Sequence, residues 1–249
     1  MRVLKIVAEG ITTSFRYPHF MQQIHPSFQM PPPATIYGHI CSAVGEWVNP
    51  TGLQFAYHFT YHGVTSDLEH IIVAGPGKGK FEIGGKKYVE VLRGTMNPFE
   101  RELLFNPRLT LYLNRPEWVN HFRSPRYAVV LGRSQDLFTY TQVEVIELTQ
   151  AEQAYFEHTI VPYEWAVKVQ QGVTVLLPRY LDYEQNRDPY FSRYLVVRER
   201  VFSQNFLIYD AAAQQDYWID PRSPTVKKAQ LGLCFHSFTG DDGETLNMA

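Results

Sequence analysis

The stretch from Pro31 to Trp47 reads PPPATIYGHICSAVGEW and predicts an amphipathic helix. Its apolar residues recur at the three- and four-residue intervals of one helix face, and they are Ile36, Ile40, Ala43, Val44 and Trp47. The prolines before Thr35 favour an extended approach, so Thr35 is the predicted N-cap. Asn49-Pro50 is predicted to end the helix.

Gly38 interrupts the beginning of this helix, although glycine costs a helix about 1 kcal/mol relative to alanine. A physical reason to keep it is that the missing side chain lets another element, or a ligand backbone, approach closely. We therefore expect the helix to be clamped tightly against a sheet.

Alternating apolar segments on both sides of the helix predict the strands of that sheet. They are residues 2–9, 53–63, 103–113 (settling after Pro107) and 141–148, with a short helix at 115–122. The order strand, helix, strand, strand, helix, strand is the split βαβ pattern of a ferredoxin-like α+β domain. That fold hosts many functions. The RNA recognition module shares it, but the stacking aromatic signature of that module is absent.

The chain changes texture near residue 150. Short β-like runs at 173–178, 194–202, 206–209 and 231–238 predict a mostly β region, 151–249, packed on a first domain of residues 1–150. The acidic tail from Gly240 is expected to fray.

Composition restricts the classes of function. The net charge is −2, so a nucleic-acid surface must be a local patch. Cys41 and Cys234 have no metal or redox spacing, which favours a reduced cytosolic protein with Cys41 as a buried filler. Without a signal peptide or a long apolar run, we expect a cytoplasmic protein that does not bind a membrane.

The segment KGKFEIGGKKYVEV, residues 78–91, predicts a β-hairpin that turns at Gly84-Gly85. Pairing outward from the turn sets Ile83 opposite Lys86, Glu82 opposite Lys87 and Phe81 opposite Tyr88. We place this hairpin in an insertion at about residues 73–103, between the second and third strands.

The hairpin is locally basic. Between Lys78 and Gly94 five positive residues face two glutamates, a net charge of +3, and the positive residues are Lys78, Lys80, Lys86, Lys87 and Arg93. Contact with nucleic acid and protection of an exposed sheet edge by lysines explain this pattern about equally well.

A second basic cluster holds Arg115, Arg123, Arg126 and Arg133. Its last member lies in the turn LGRS, residues 131–134, where an arginine and backbone amides suit a phosphate. By the residues alone, a surface turn with a structural arginine is the preferred interpretation.

The chain has few candidates for catalysis. It lacks metal-ligand spacing, a Walker loop, GxSxG and paired-carboxylate motifs, so we predict no cofactor and no metal. His19, His25 and His39, with Tyr17 and Tyr37, could support metal-free RNA cleavage, although histidines in loops are more often merely solvated.

Three blocks together resemble the CRISPR-associated family-five proteins, which are RAMP-superfamily subunits of type I Cascade. The blocks are PPPATIYGHICSAVG, RELLFNPRLTLYL and SPRYAVVLGRS, and their order and distances over roughly the first 150 residues are also similar to that family. The C-terminal half more loosely resembles type I-B variants.

The resemblance implies a ferredoxin-like domain whose inserted hairpin, the thumb, holds the 5′ handle of crRNA at one end of a filament of backbone subunits. It also implies that most members do not cut RNA, although a type I-C branch does so with Tyr, Lys and His. That trio has no residue-by-residue match here, so no catalytic residue is carried over. The expected RNA-binding residues are Arg16, His19, Tyr37, Gly38, His39, Lys78, Lys80, Lys86, Lys87, Arg93, Arg108, Arg126, Arg133 and Ser134.

The expected function is therefore that of a non-catalytic crRNA-binding subunit of a type I-B-like Cascade in antiviral defence. Its expected partners are crRNA, the family-seven backbone subunit, the family-eight large subunit and target DNA within the complex. The alternatives are a metal-independent endoribonuclease that processes pre-crRNA and a general RNA-binding scaffold outside CRISPR.

Overall fold

The computed structural model describes residues 1–18, 20, 24–207 and 216–240. The first part of the chain forms, in order, β1 Arg2–Gly10, β2 Thr12–Thr13, β3 Ile24–His25, α1 Pro33–Val44, β4 Gln54–Thr60, β5 Gly63–Ile83, β6 Lys86–Phe105, β7 Arg108–Leu113, a 3-10 turn Pro116–Trp118, α2 Val119–Arg123 and β8 Phe138–Glu147. The rest forms β9 Thr149–Ala151, β10 Ala154–Phe156, β11 Thr159–Pro162, a 3-10 turn Tyr163–Trp165, α3 Ala166–Val169, β12 Val173–Asp182, β13 Asp188–Val197, β14 Val201–Phe202, a 3-10 turn Ser203–Asn205, β15 Tyr217–Ile219, β16 Gln230–Leu233 and β17 His236–Ser237.

A central antiparallel sheet organises the molecule. Its strands follow the order β17-β4-β7-β1-β8, and the longest ladder joins β1 to β8. The predicted succession of strand, helix, strand, strand, helix, strand is present, with a hairpin inserted between β4 and β7. The protein is α+β and rich in strands.

The central sheet is buried on both faces. Leu4, Ile6 and Phe55 lie on the face that packs against α1, whereas Val3 and Tyr112 pack against the C-terminal strands. Two-sided burial explains why β1 is an almost continuous apolar run instead of a strict alternation. The C-terminal region therefore covers the second face of this sheet.

The ends of α1 differ from the prediction. The helix begins at Pro33 after Pro32 at the N-cap, so Thr35 is not the cap, because proline at the first helical position needs no amide partner. Gly45, at φ 99°, ends the helix and donates its N–H to the carbonyl of Cys41, before Asn49-Pro50 is reached. Trp47 consequently lies outside the helix and is exposed.

The C-terminal strands correct several predicted boundaries. The predicted strand at 231–238 is two strands, because β16 joins a second sheet while β17 pairs with β4. The predicted strand at 194–202 breaks between β13 and β14. Phe206 and Leu207 are not in a strand, and the rest of the run at 206–209 lies outside the described residues, as does the tail after Gly240.

The largest core crosses the predicted domain boundary. It contains Ile36 and Ile40 from α1 together with Leu177, Tyr194 and Phe238 from the C-terminal region. The division at residue 150 stays a prediction. Cys41 and Cys234 are both buried, and the burial of Cys41 agrees with the expected role of a filler.

Asp220 links the C-terminal region to the central sheet. Its fully buried carboxylate accepts bonds from Lys5 Nζ at 2.5 Å and from Tyr112 Oη at 2.8 Å, which lie on β1 and β7. Burial alone would raise the pKa of Asp220, but these bonds and the amide of Arg222 outweigh it and lower the pKa. The ion pair is therefore formed at neutral pH.

Replacing Asp220 with asparagine should lower the free energy of unfolding by about 3 kcal/mol at pH 7, because Lys5 loses its counter-ion in a largely buried place. Since the folded pKa of Asp220 is lowered, its contribution is present above the ordinary value of about 3.9 and is lost as the pH falls further. The difference between the two proteins in urea unfolding should accordingly shrink at acidic pH. Glu9→Gln, which breaks the exposed pair with Arg108, is the control and should cost under about 1 kcal/mol. Equal costs for the two variants would contradict the linking role.

Candidate nucleic-acid interface

The inserted hairpin is longer than the segment predicted at 73–103. It is formed by β5 and β6, so it runs from Gly63 to Phe105, and the turn lies at Gly84-Gly85. The predicted register at the turn is confirmed: Ile83 pairs with Lys86, Glu82 with Lys87 and Phe81 with Tyr88. Both turn glycines have positive φ, which is the backbone that a two-residue hairpin needs.

The outer part of the hairpin projects away from the core. From Ile71 to the turn, none of the described side chains is buried. At about 3.3 Å per residue this part reaches roughly 40 Å. Lys78, Lys80, Lys86 and Lys87 are all exposed, and Phe81 stacks on Tyr88 with 5.7 Å between ring centroids.

Charge is segregated along the hairpin. The tip, residues 78–94, carries +3, whereas the flanking segments 63–77 and 95–105 carry four acidic residues against Arg101. The whole hairpin is therefore neutral, and its positive field is concentrated at the tip. This distribution places the cations where the ribbon is farthest from the core.

The base of the hairpin is held by a chain of ion pairs. Glu69 on β5 bonds Arg101 Nε at 2.7 Å and also contacts Arg133 of the 131–134 turn. Asp136, 1% exposed, accepts Arg133 Nε at 2.9 Å and Nη2 at 2.7 Å. On the other side Arg101 Nη2 lies 3.4 Å from His25 Nδ1. This cluster, Glu69–Arg101–Arg133–Asp136, ties the hairpin to the domain.

Arg133 is thus an anchoring residue and not an open phosphate ligand. Its bonds to Asp136 and Glu69 raise the pKa of the guanidinium and occupy donors on all three nitrogens. The turn that carries it is tightly packed, because Gly132 has φ +96° and a Cβ there would lie 2.8 Å from the carbonyl oxygen of Ser14. The structural interpretation of the LGRS arginine agrees with this geometry.

Two other residues that were expected to contact RNA lie in the core. Tyr37 is 2% exposed and donates its hydroxyl to the carbonyl of Val48 at 2.5 Å. His39 is buried between the carbonyl of Val130 at 2.8 Å and the hydroxyl of Tyr140 at 3.0 Å. Burial lowers the pKa of His39, so it is neutral at pH 7. Neither side chain is available to RNA in this conformation.

The helix packs on the central sheet as expected, but Gly38 is not the point of close approach. Among the described residues, a Cβ at this position would meet nothing within 4 Å. The glycine instead opens into a groove of about 410 Å³. The second expected reason for a glycine, room for a ligand, is the one compatible with the structure.

The groove brings together parts of the chain that are distant in sequence. α1 contributes Thr35, Gly38 and Ser42, the turn contributes residues 130–132, and the β12–β13 hairpin contributes Tyr183 and Arg187. Exposed Arg16 also lines it. Of the expected RNA-binding residues, this groove collects Arg16, Gly38 and the edge of His39.

The remaining expected residues are dispersed. Arg108 pairs with Glu9 at 2.6 Å, exposed Arg126 packs over Gly45, and exposed Ser134 contacts Gln135. His19 lies outside the described residues, and the side chain of Arg93 is likewise not described, although its backbone belongs to β6.

Sequence reasoning missed an aromatic group beside the groove. Trp47 stacks on Tyr183 with ring centroids 3.5 Å apart, and the guanidinium of Arg187 lies 5.6 Å from the Tyr183 ring centroid. Gly45 could have indicated this position, because a glycine after the last periodic residue often ends a helix. Trp47 then lies beyond the helix and not on its buried face. The polar segment 184–188 similarly indicated a turn.

Among residues 1–18, 20, 24–207 and 216–240, no group of three or more His, Cys, Asp or Glu side chains could hold a metal ion. No helix in the described part of the chain is long and apolar enough to cross a membrane.

Comparison with known proteins finds likeness at the level of structure. No family model matches the chain, and no curated protein matches it. One chain of a structure described as a CRISPR RNA-guided surveillance complex is similar with a TM-score of 0.51 and 14% identity, over 81% of this chain and 92% of that one. A CRISPR protein from Archaeoglobus fulgidus has a TM-score of 0.45 and 10% identity, over 80% of this chain and 87% of that one. A chain of a type III-B Cmr-beta complex bound to cognate target RNA has a TM-score of 0.44 and 12% identity, over 82% of this chain and 87% of that one. The first similarity shows a shared fold.

Replacing Arg133 with glutamine should lower the free energy of unfolding by about 3 kcal/mol, because the buried Asp136 carboxylate would lose its charged partner. The neighbouring Ser134→Ala is the control, with an expected change within about ±0.5 kcal/mol, since Ser134 is exposed. Chemical denaturation of both variants measures the difference. A variant at Arg133 that keeps wild-type stability but loses RNA affinity would show a phosphate ligand instead of an anchor.

Proposed function

We propose that this chain is a non-catalytic RNA-binding subunit of a type I-B-like CRISPR Cascade, in which it holds the 5′ handle of crRNA for RNA-guided targeting of DNA. The observation that carries the proposal is the long hairpin with its positive tip, inserted between two strands of the central sheet and anchored by partly buried ion pairs.

The fold supports this assignment. The central order β4-β7-β1-β8, with all neighbours antiparallel and a helix after β1 and after β7, matches the arrangement of a ferredoxin-like domain. The chain also covers most of a protein from an RNA-guided CRISPR complex. The proposed identity is accordingly a family-five RAMP protein whose hairpin is the thumb.

The hairpin geometry suits electrostatic contact with RNA. Four lysines project from the part of the ribbon that lies farthest from the core, where their ammonium groups reach phosphates without desolvating the protein. An edge that only needed protection against aggregation would be short, because length itself creates more unpaired edge. The extension of both strands therefore favours a reaching role.

The hairpin also supports assembly with other subunits. Its apolar residues Leu68, Ile72 and Met96 are exposed, and an isolated two-stranded ribbon is marginally stable in water. Exposed apolar area of this kind marks interaction surfaces. The proposed partners are the family-seven backbone subunit and the family-eight large subunit, with crRNA and target DNA in the same complex.

Three of the described histidines, His39, His58 and His158, favour binding over catalysis. His39 has both ring nitrogens engaged inside the protein. His58 and His158 lie together, but burial and His158 lower the pKa of His58 to about 4, and burial also lowers that of His158. Both are neutral at pH 7, so this pair lacks the protonated donor that RNA cleavage needs.

Changing Lys78, Lys80, Lys86 and Lys87 to alanine should weaken binding of single-stranded RNA and make its salt dependence shallower. For single strands, each phosphate that the protein no longer neutralises reduces the slope of log K against log salt by about 0.7. Stability should change by under about 0.5 kcal/mol per site, because the side chains are exposed. Binding isotherms at several salt concentrations, on soluble protein, measure the slope.

Two matched double variants test whether the effect on RNA binding belongs to the lysines of the hairpin tip or to any exposed lysines. Lys86→Gln with Lys87→Gln should change the slope, whereas Lys227→Gln with Lys228→Gln, two exposed lysines on a different turn, should not. Equal slopes for all variants, together with increased aggregation of the hairpin variant, would support edge protection and contradict the thumb.

Incubating the purified protein with CRISPR repeat RNA in EDTA should leave the RNA intact. Defined cleavage that His58→Ala with His158→Ala abolishes would instead show the metal-independent endoribonuclease. Gel electrophoresis of end-labelled RNA distinguishes the two results.

A further inference from the structure

An exposed tryptophan is held in a defined orientation beside the groove. Trp47 is 60% exposed, although its indole stacks on Tyr183 at an interplanar angle of 26°. Tyr37 lies to the side of this stack, with its ring centroid 6.4 Å from each of the other two. With Tyr183 against one face of the indole, so large an exposed fraction leaves the other face open to solvent. Within the described residues, the stack is thus an aromatic surface with one open face.

The partner ring lies beside a turn that is built with unusual backbone geometry. The Asp182 side chain accepts the amides of Glu184 and Gln185 at 3.0 and 3.2 Å, and the Asp182 carbonyl accepts the amide of Arg187 at 2.7 Å. Asn186 and Arg187 both have positive φ, which costs non-glycine residues free energy. The turn therefore orders Tyr183 and Arg187 before any ligand arrives.

Positive charge accompanies the aromatic surface. Arg187 lies over Tyr183, is exposed, and lines the groove opposite α1, where Arg16 is the second exposed cation. No ion pair neutralises either arginine within the ranges that the structure describes. An apolar peptide would not need these charges, whereas a nucleotide offers a flat base to the indole and a phosphate to the arginines.

We propose that Trp47, Tyr183 and Arg187 form a subsite for one unpaired base of single-stranded RNA. The base stacks on the open face of Trp47, and Arg187 and Arg16 contact the flanking phosphates, with the backbone passing over Gly38. RNA as the ligand rests on the proposed function, but the subsite is separate from the lysine tip. It assigns a second, non-electrostatic contribution to RNA affinity.

The test uses the full chain, a 12-nucleotide single-stranded RNA that contains 5-iodouridine, and the RNA duplex of the same length. Trp47→Ala should weaken single-strand binding about tenfold, since the base loses the ring on which it stacks. The salt slope should stay unchanged because no cation is removed. Binding of the duplex should also stay unchanged, because a duplex offers no unpaired base. Irradiation of the wild type should cross-link RNA to Trp47 or Tyr183.

Tyr163→Ala is the matched control. Tyr163 is an exposed aromatic residue, 42% accessible, with the guanidinium of Arg193 5.8 Å from its ring centroid, and it lies outside the groove. Its loss should leave RNA affinity unchanged.

The outcomes separate this inference from the proposed function. If Trp47→Ala binds as tightly as Tyr163→Ala and no cross-link maps to Trp47 or Tyr183, while the hairpin variants still bind weakly, the subsite is wrong and the proposed function stands. Loss of binding to another Cascade subunit, with RNA affinity unchanged, would show a protein socket and also overturn the subsite. Failure of the wild type to bind single-stranded RNA would overturn both. Cross-linking of the wild type decides the question even if Trp47→Ala does not fold.

Discussion

The carboxylate of Asp136 is the point on which the exposed architecture depends. It is almost inaccessible to water, so its charge requires Arg133, and Arg133 in turn orients Glu69 and Arg101 at the base of the hairpin. A two-stranded ribbon of this length has no core of its own. Buried and partly buried ion pairs give it a fixed root, because a charged group that leaves such a network meets a large desolvation penalty.

The root and the tip of the hairpin use charge in opposite ways. At the root, arginines and carboxylates pair with each other inside the protein, and these ion pairs fix the position of the hairpin. At the tip, cations exceed carboxylates and are solvated, so they stay available to a polyanion. Burial therefore separates the two basic segments: Arg133 is held by carboxylates, whereas Lys86 is exposed to solvent.

The groove adds a second principle. α1 presents Gly38 to open space, and the residues that follow the helix leave Trp47 exposed next to a strained turn. The helix thus packs its apolar face on the central sheet, while Thr35, Gly38 and Ser42 line the groove. Lysines at a distance supply attraction that salt screens, whereas an aromatic surface supplies contact that salt does not affect.

Much of the framework was predictable because it is encoded locally. The apolar run of residues 2–9, the alternation of residues 141–148, the periodicity of α1 and the two glycines at 84–85 each depend on neighbours within a few residues. β1, β8, the helix and the hairpin register follow from these local patterns. The lysines at the tip are exposed for the same reason, since a tight turn at the end of an isolated ribbon has no distant neighbours. The order of elements around the helix was likewise readable from the sequence.

The tertiary structure decided what each polar or aromatic side chain faces. Arg133 meets Glu69, which is 64 residues away, and His39 meets Tyr140, so both are occupied by partners that no local pattern reveals. Trp47 fits the periodicity of the buried helix face, yet the left-handed backbone at Gly45 turns it out to Tyr183 from the other half of the chain. The strand predicted at 231–238 similarly divides, because β17 pairs with β4 at the edge of the central sheet while β16 pairs elsewhere. Sequence determines local geometry through short-range sterics and periodicity, but burial and pairing depend on residues that only folding brings together.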